Sequence, residues 1–229
     1  SNPTVCPNTT VALSVSGGTG SYTFFPGAFV GNNITFTPSA NTTYTAIGTT
    51  TNGCTIAKTI TIFTYTSTVS ASASPNSICA GFSSTLTGSS GSSFTWQPGN
   101  LLGSPITVTP ASTTIYTLSG LSVNSCLTSN TVQVTVNNPP ILSVSPAASN
   151  TICLNSSINL VPSGAVTYTW LPMNIPTTNI VVSPAVATTY TVNGTSIFGC
   201  IGTTTVSVFV NPQPTVTCNL TTPIICPNI

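Results

Sequence analysis

Charge is almost absent from this sequence. It contains no Asp, Glu or His, and Lys58 is its single charged side chain. General acid–base catalysis needs a side chain that exchanges a proton near working pH, and nucleophilic catalysis needs such a group beside the nucleophile. Hard cations prefer carboxylate oxygens, and one lysine cannot neutralise the several phosphates on which nucleic-acid binding depends. We therefore expect no catalytic residue, no enzyme activity, no cofactor, no metal site and no nucleic-acid partner.

Long apolar runs and helical periodicity are also lacking. The apolar stretches, such as residues 203–210, are short and interrupted by hydroxyl side chains, so we expect no membrane span. The first residues show no signal peptide, and we interpret the sequence as a mature or excised segment. The abundant Thr, Val, Ile, Tyr and Phe favour strands, and Gly, Pro and Asn-Gly pairs separate them. These features predict an all-β fold.

One unit of about 73 residues is repeated along the sequence. Four cysteines have matching contexts and lie 73, 74 and 73 residues apart: Val5-Cys6-Pro7-Asn8, Ile78-Cys79-Ala80-Gly81, Ile152-Cys153-Leu154-Asn155 and Ile225-Cys226-Pro227-Asn228. After each of the first three come an aromatic strand, an alternating strand and a tyrosine strand, then a turn with a second cysteine and a last strand. Each unit thus contains six or seven short strands, as in an immunoglobulin-like β-sandwich.

The predicted organisation is three tandem immunoglobulin-like repeats and a tail. Repeat one covers residues 1–66 and lacks its leading strand, repeat two covers 67–138, and repeat three covers 139–213. Residues 214–229 are either the leading strand of a fourth repeat or a strand donated to a neighbouring subunit.

Aromatic side chains occupy the same places in each repeat. One lies 30 residues before the second cysteine and a tyrosine lies 10 before it. A carbohydrate-stacking platform is one interpretation, but identical placement in every copy favours the sandwich core. The predicted core aromatics are Phe24, Trp96, Trp170, Tyr44, Tyr116 and Tyr190.

Each repeat has one cysteine near its start and a second in its last hairpin. The two are 47 or 48 residues apart, and a disulfide that closes such a loop is worth about 4 kcal/mol by chain entropy. Zinc is disfavoured because no CxxC pair or His is present. We therefore predict one disulfide within each repeat, and hence an oxidising, extracellular location. The predicted pairs are Cys6–Cys54, Cys79–Cys126 and Cys153–Cys200.

Cys218 is an additional cysteine, since Ala71 and Ser145 stand at its place in repeats two and three. It either pairs with Cys226, stays unassigned, or joins the chain end to a neighbouring subunit.

The motifs of the third repeat, Tyr168-Thr-Trp170-Leu-Pro172, Thr188-Thr-Tyr190-Thr-Val192-Asn-Gly194 and Gly199-Cys200, form a recognisable pattern. It resembles the tandem immunoglobulin-like or PKD-like repeats of large Bacteroidota cell-surface proteins of the gliding-adhesin type, over all three repeats. The resemblance implies export to the cell surface and a role in adhesion or filament formation. Members of that family usually carry Asp and Glu in their loops, which this sequence lacks.

Neutral surfaces do not repel one another at long range. We therefore favour a structural protein that assembles head to tail with copies of itself, or continues into further repeats, as a filament, stalk or sheath. A strand from residues 215–225 would then complete repeat one of the next subunit. The alternative is an adhesin module that binds a carbohydrate or another surface, with residues 24–30 as its candidate loop. Surface glycans are then its partners.

Six sequons offer glycosylation sites, and attached sugar would help to keep a neutral surface soluble. Chance occurrence in a chain rich in Thr and Asn is the competing explanation. The sites are Asn8, Asn33, Asn41, Asn155, Asn193 and Asn219.

Overall fold

The computed structural model describes residues 2–17, 21–147 and 150–218, and all regular structure in them is β. No helix long and apolar enough to cross a membrane occurs in that part of the chain. Repeat one contains β1 (Thr4–Val5), β2 (Val11–Ser14), β3 (Ser21–Phe25), β4 (Phe29–Val30), β5 (Asn33–Phe36), β6 (Thr42–Thr49) and β7 (Thr55–Thr64).

The later strands follow the same order. Repeat two contains β8 (Ser70–Ser74), β9 (Ser77–Cys79), β10 (Ser84–Ser89), β11 (Gly91–Gln97), β12 (Leu101–Leu102), β13 (Ile106–Val108), β14 (Thr114–Ser122) and β15 (Leu127–Asn137). Repeat three contains β16 (Ser143–Ser145), β17 (Thr151–Cys153), β18 (Ile158–Ser163), β19 (Thr167–Leu171), β20 (Ile180–Val182), β21 (Thr188–Thr195) and β22 (Ile201–Asn211).

Repeat two is an immunoglobulin-like sandwich. One sheet has the strand order β13-β10-β8 and the other β12-β11-β14-β15-β9. The leading segment thus contributes to both sheets, through β8 and then β9, and the last hairpin β14–β15 lies in the larger sheet, as in immunoglobulin domains. In β14 every second residue is buried, including Tyr116 and Leu118, because side chains alternate between the two faces of a strand.

Repeat three has the same plan and repeat one departs from it. The sheets of repeat three are β16-β18-β20 and β17-β22-β21-β19. Repeat one has a five-stranded sheet β1-β7-β6-β3-β4, but its second sheet consists of β2 and β5 alone. In the described part of the chain no strand takes the place beside β2 that β8 and β16 take beside β10 and β18.

Each predicted repeat has its own hydrophobic cluster, with an aromatic residue at its centre. Phe24 is 1% exposed, and Trp96 and Trp170 are fully buried. Tyr44, Tyr116 and Tyr190 are buried as well. The six aromatic positions named from the sequence therefore lie inside the protein, and the stacking-platform alternative would need exposed rings.

The cluster of repeat one is smaller than the other two. Its buried members are Tyr22, Phe24 and Ile34, whereas repeats two and three have eight each. By internal packing the chain divides into two compact units, Ser1–Val136 and Asn137–Ile229, so repeats one and two form one unit. The predicted boundaries at 66 and 213 stay predictions.

Candidate functional site

The second cysteine of every repeat lies at the end of the same hairpin turn. In repeat two, Ser122 N donates to the Cys126 carbonyl at 2.8 Å, and the Cys126 N–H donates to the Ser122 hydroxyl at 3.3 Å. Thr50 makes the equivalent bonds with Cys54 at 2.8 and 3.1 Å. The turn requires a positive φ at the residue before the cysteine, which Gly53 supplies with φ 81°. This turn holds each second cysteine in one local geometry.

The first cysteine of every repeat begins a tight turn of its own. Thr9 N donates to the Cys6 carbonyl at 3.2 Å, and Ser156 N donates to the Cys153 carbonyl at 3.0 Å. The residue two positions after the cysteine has a positive φ, 61° at Asn8 and 67° at Asn155. Asn and Gly tolerate this region best, which explains the Cys-x-Asn and Cys-x-Gly motifs.

The two cysteines of one repeat lie at opposite ends of its sandwich. β1 pairs with β7 in parallel, with Val5 opposite Thr64, so Cys6 follows beside the far end of β7. Cys54 directly precedes the start of β7, which is 10 residues long. Such a strand spans about 30 Å, whereas disulfide-bonded residues have Cα atoms less than about 7 Å apart. A bond between Cys6 and Cys54 is therefore sterically impossible.

The same separation occurs in repeat three. Cys153 lies opposite Asn211 at the end of β22, and Cys200 precedes the start of that strand, which is 11 residues long. The predicted pair Cys153–Cys200 is wrong for this reason.

Cys6 is instead bonded to Cys126 of the next repeat. Their Cα atoms are 5.4 Å apart, and 120 positions separate them in the sequence. The bond thus connects the lower end of repeat one, beside the end of β7, to the hairpin of repeat two. This finding corrects the predicted pairs Cys6–Cys54 and Cys79–Cys126, and with them the expectation of one disulfide within each repeat.

The remaining cysteines fall into two groups. Cys79 and Cys200 are each disulfide-bonded. Cys54, Cys153 and Cys218 are free and exposed thiols. Cys226 lies outside the described residues, so its predicted pairing with Cys218 stays untested.

Hydrogen bonds hold the leading segment of repeat two on its own sandwich. Val69 N donates to the Thr128 hydroxyl at 3.1 Å, and the Asn130 side-chain amide donates to the Val69 carbonyl at 3.2 Å. The amide of Asn124 donates to the Ser67 hydroxyl at 2.9 Å. Val69 is fully buried in the core, and β8 continues from it along β10. The leading segment therefore completes this core.

Repeat one has an open groove where repeat two has that segment. Leu13 pairs with Ile34 as Leu86 pairs with Ile106, so the two leucines are equivalent. Leu86 is fully buried, whereas Leu13 is only partly buried. The groove has a volume of about 270 Å³. Its apolar lining comes from Leu13, Val15, Phe24, Tyr44, Ala46 and Ile60, with Lys58 beside them.

The strand register also changes the interpretation of Cys218. Ala71 lies opposite Gly88 in β10, and Val144 lies opposite Pro162 in β18, so Val144 rather than Ser145 corresponds to Ala71. Ala71 and Val144 pack against the cores of their repeats. The position that Cys218 would take in a leading strand thus faces inward, where cysteine acts as a small apolar side chain.

The three buried tyrosines share one electrostatic feature. Burial raises the pKa of Tyr44, Tyr116 and Tyr190 above the ordinary value of 10.0, because each phenolate would lose its hydration. Within the described residues, no three Cys, His, Asp or Glu side chains lie close enough together to hold a metal ion.

The predicted glycosylation sites differ in accessibility. Asn8, Asn33, Asn41 and Asn155 are exposed, and Asn193 is partly buried. The side-chain oxygens of Asn41 and Asn193 accept hydrogen bonds, from Thr64 and Thr203 respectively. Asn219 lies outside the described residues, and glycosylation at all six sites stays a prediction.

Sequence comparison adds no family to these observations. No family model matches the chain, and no curated protein sequence matches it. Among solved structures it is similar to a 1.5-MDa bacterial ice-binding adhesin, with 14% identity, a TM-score of 0.39, and coverage of 90% of this chain and 92% of that one. A Ca²⁺-stabilized adhesin of an Antarctic bacterium has 15% identity and a TM-score of 0.35, with coverage of 91% and 70%.

A variant of titin domains I67–I69 has 11% identity and a TM-score of 0.31, with coverage of 93% of this chain and 95% of that one. These values are too low for an argument about function. The immunoglobulin-like fold of this chain is defined by its own strand order.

Proposed function

We propose that the chain is an extracellular structural protein, a subunit or segment of a surface filament, stalk or sheath that joins head to tail. The observation that carries this proposal is the disulfide between Cys6 and Cys126, which connects neighbouring repeats instead of closing one. Under tension the force passes through this bond, so the residues between the two cysteines are protected from extension. Disulfides persist in oxidising compartments, which supports an extracellular location.

The open groove of repeat one supports assembly with a second copy. Residues 212–218 leave the end of β22 without forming a strand, and Val216 is 81% exposed. Val216 and Cys218 alternate with Thr215 and Thr217, as Val69 and Ala71 alternate with polar residues in repeat two. A strand from this segment would cover Leu13 of the next copy and pair with the free edge of β2, which is strand addition.

Lys58 contributes a specific contact to this arrangement. It lies opposite Ala46 in β6, as Asn130 lies opposite Leu118 in β14. Asn130 donates to the Val69 carbonyl of the leading segment. The ammonium group of Lys58 can donate in the same way to the backbone carbonyl of a donated strand.

The test uses Val216→Lys, with Thr217→Lys as the matched control. Both residues are exposed in the single chain, so neither change is expected to affect its folding. A lysine at 216 would place a charge in the apolar groove, whereas one at 217 would point to solvent. We expect sedimentation velocity and electron microscopy to show end-to-end assemblies of the wild type and of Thr217→Lys, and at least tenfold fewer of Val216→Lys. Assembly that is equal in the two variants would contradict strand donation, and a wild type that stays a monomer would contradict the proposed function.

A second candidate function is adhesion through repeat one. Phe25, Phe29 and Val30 lie on the neighbouring strands β3 and β4 and are 44, 48 and 71% exposed. Exposed aromatic rings can stack on sugar rings, whereas Phe24 of the predicted loop is buried in the core. Saturable binding on a glycan array that is lost in Phe25→Ala/Phe29→Ala would favour this function.

A further inference from the structure

We infer that Cys153 of one copy forms a disulfide with Cys54 of the next copy, so that the assembly is covalently continuous. The inference rests on the proposed head-to-tail assembly and names the residues that join the copies. Cys54 and Cys153 are both free and exposed. The bond observed between Cys6 and Cys126 connects the first cysteine of one repeat to the second cysteine of the following repeat. Cys153 is a first cysteine and Cys54 is a second cysteine, so each lacks the kind of partner that the other provides.

Cys54 has the local geometry of the bonded Cys126. In both hairpins the cysteine N–H donates to a hydroxyl four residues earlier, at 3.1 Å from Cys54 to Thr50 and at 3.3 Å from Cys126 to Ser122. The residue before the cysteine has a positive φ in both, 81° at Gly53 and 59° at Ser125. The difference is exposure, because Cys126 is 2% exposed whereas Cys54 is open to solvent.

Cys153 has the local geometry of the bonded Cys6. Each follows a short strand that pairs in parallel with the last strand of its repeat, β1 with β7 and β17 with β22. Each then begins a turn closed by a hydrogen bond to its carbonyl, at 3.2 Å for Cys6 and 3.0 Å for Cys153. Only small adjustments of the side chain are thus needed to reproduce the bond already seen between repeats one and two.

Strand donation would bring the two thiols to the same junction. In repeat two the leading segment lies on the sandwich that also carries Cys126, through the contacts of Val69 with Thr128 and of Ser67 with Asn124. Residues 212–218 would lie equally on repeat one of the next copy, whose hairpin carries Cys54. Cys153 lies opposite Asn211, directly before this segment. The donated strand therefore directs the Cys153 end of one copy toward the Cys54 hairpin of the next.

Bond formation requires an oxidant, and a low-molecular-weight disulfide such as oxidised glutathione suffices. The Cys153 thiolate attacks that disulfide and releases one thiol, which leaves a mixed disulfide on Cys153. The Cys54 thiolate of the next copy then attacks the Cys153 sulfur, forms the protein disulfide and releases the second thiol. The two protein thiols lose two electrons and two protons in total, and the small disulfide gains them.

The experiment uses the full chain in a Cys218→Ser/Cys226→Ser background with oxidised glutathione. Non-reducing electrophoresis should show a ladder at multiples of the 23.2 kDa chain mass. Adding Cys54→Ser or Cys153→Ser should remove the ladder, since each variant keeps only one half of the bond. A one-to-one mixture of these two variants should give a dimer band and nothing larger. Mass spectrometry of chymotryptic peptides should identify the Cys54–Cys153 crosslink.

Several results would overturn the inference. One is a ladder that survives Cys54→Ser, and another is single variants that dimerise as strongly as their mixture. Monomers whose own Cys54 and Cys153 are joined would also contradict it. Sedimentation of the same samples separates the two proposals. End-to-end assemblies without the crosslink would refute the covalent bond alone, and the absence of assemblies would refute the proposed function with it.

Discussion

The two tryptophans occupy equivalent core positions but differ in hydrogen bonding. The indole Nε1 of Trp96 donates to the Gly103 carbonyl at 3.1 Å. The Nε1 of Trp170 is buried and has no partner among the described residues. A buried donor without an acceptor costs free energy, whereas a satisfied one contributes about 1 kcal/mol. The same residue type thus has different energetic consequences in repeats two and three.

We therefore expect Trp96→Phe to destabilise the protein by about 1 kcal/mol more than Trp170→Phe. Both changes remove the same volume of side chain, so each is the packing control for the other. Only the first removes a hydrogen bond, and the second removes an unsatisfied N–H. Differential scanning calorimetry of the full chain measures both effects. An equal or larger loss for Trp170→Phe would refute this account.

Burial of these aromatic residues could be predicted from the sequence, and their hydrogen bonds could not. Their constant distance from the second cysteine marks them as one structural position in three copies. The acceptor for Trp96 is a loop carbonyl seven residues away, at Gly103, and backbone direction in a loop leaves no trace in a residue pattern.

At the scale of strands, the parallel pairing of the leading segment with the last strand determines which cysteines can meet. β1 and β17 each run beside the last strand of their repeat, so the first cysteine lies at the opposite end from the hairpin with the second. Sequence spacing favoured the shorter loop, because closing it appears entropically easier. The relevant signal was the 10 or 11 residues of the strand after the second cysteine, whose length separates the pair.

The open edge of β2 was predicted, but its lining was not. The short stretch before Cys6 indicated that a leading strand was missing from repeat one. Identifying Leu13 and Lys58 as residues of the groove requires the register of β2 with β5 and of β6 with β7. Register depends on tertiary pairing and is only weakly encoded in an alternating pattern of Thr and Val.

Removing the bond between repeats one and two should destabilise the unit Ser1–Val136. Its loop of 120 positions corresponds to about 5 kcal/mol of chain entropy, so we expect Cys6→Ser/Cys126→Ser to lose several kcal/mol. Urea unfolding followed by Trp96 fluorescence, in a Trp170→Phe background, reports on this unit alone. Cys54→Ser is the control and should be neutral, because that thiol is free and exposed. Comparable stability of the double variant and the control would show that the bond contributes little.

For the whole molecule, the absence of charged side chains governs its response to solution conditions. No side chain changes its charge between about pH 4 and pH 7, because Asp, Glu and His are absent. Acid denaturation arises mainly from carboxylates and histidines whose pKa values differ between the folded and unfolded states. A stalk of this composition keeps the same surface and the same internal contacts across acidic and neutral surroundings.

The buried tyrosines should set the alkaline limit of stability. Burial raises the pKa of Tyr44, Tyr116 and Tyr190 in the folded state, so the unfolded chain ionises first as the pH rises past about 10. Their contribution to stability is complete below that pH and is lost as the pH rises toward the folded-state pKa. We expect a Tm constant within about 2 °C from pH 4 to pH 7, and a decline above pH 10.

Calorimetry across this range tests the expectation, with Tyr116→Phe as the matched variant. Removing one buried phenol should make the alkaline decline less steep for the unit that contains it, and should leave the acidic range unchanged. A Tm that falls between pH 7 and pH 4 would mean that titrating groups other than the side chains of this sequence control its stability. An alkaline decline identical in wild type and Tyr116→Phe would mean that phenol burial does not set the limit.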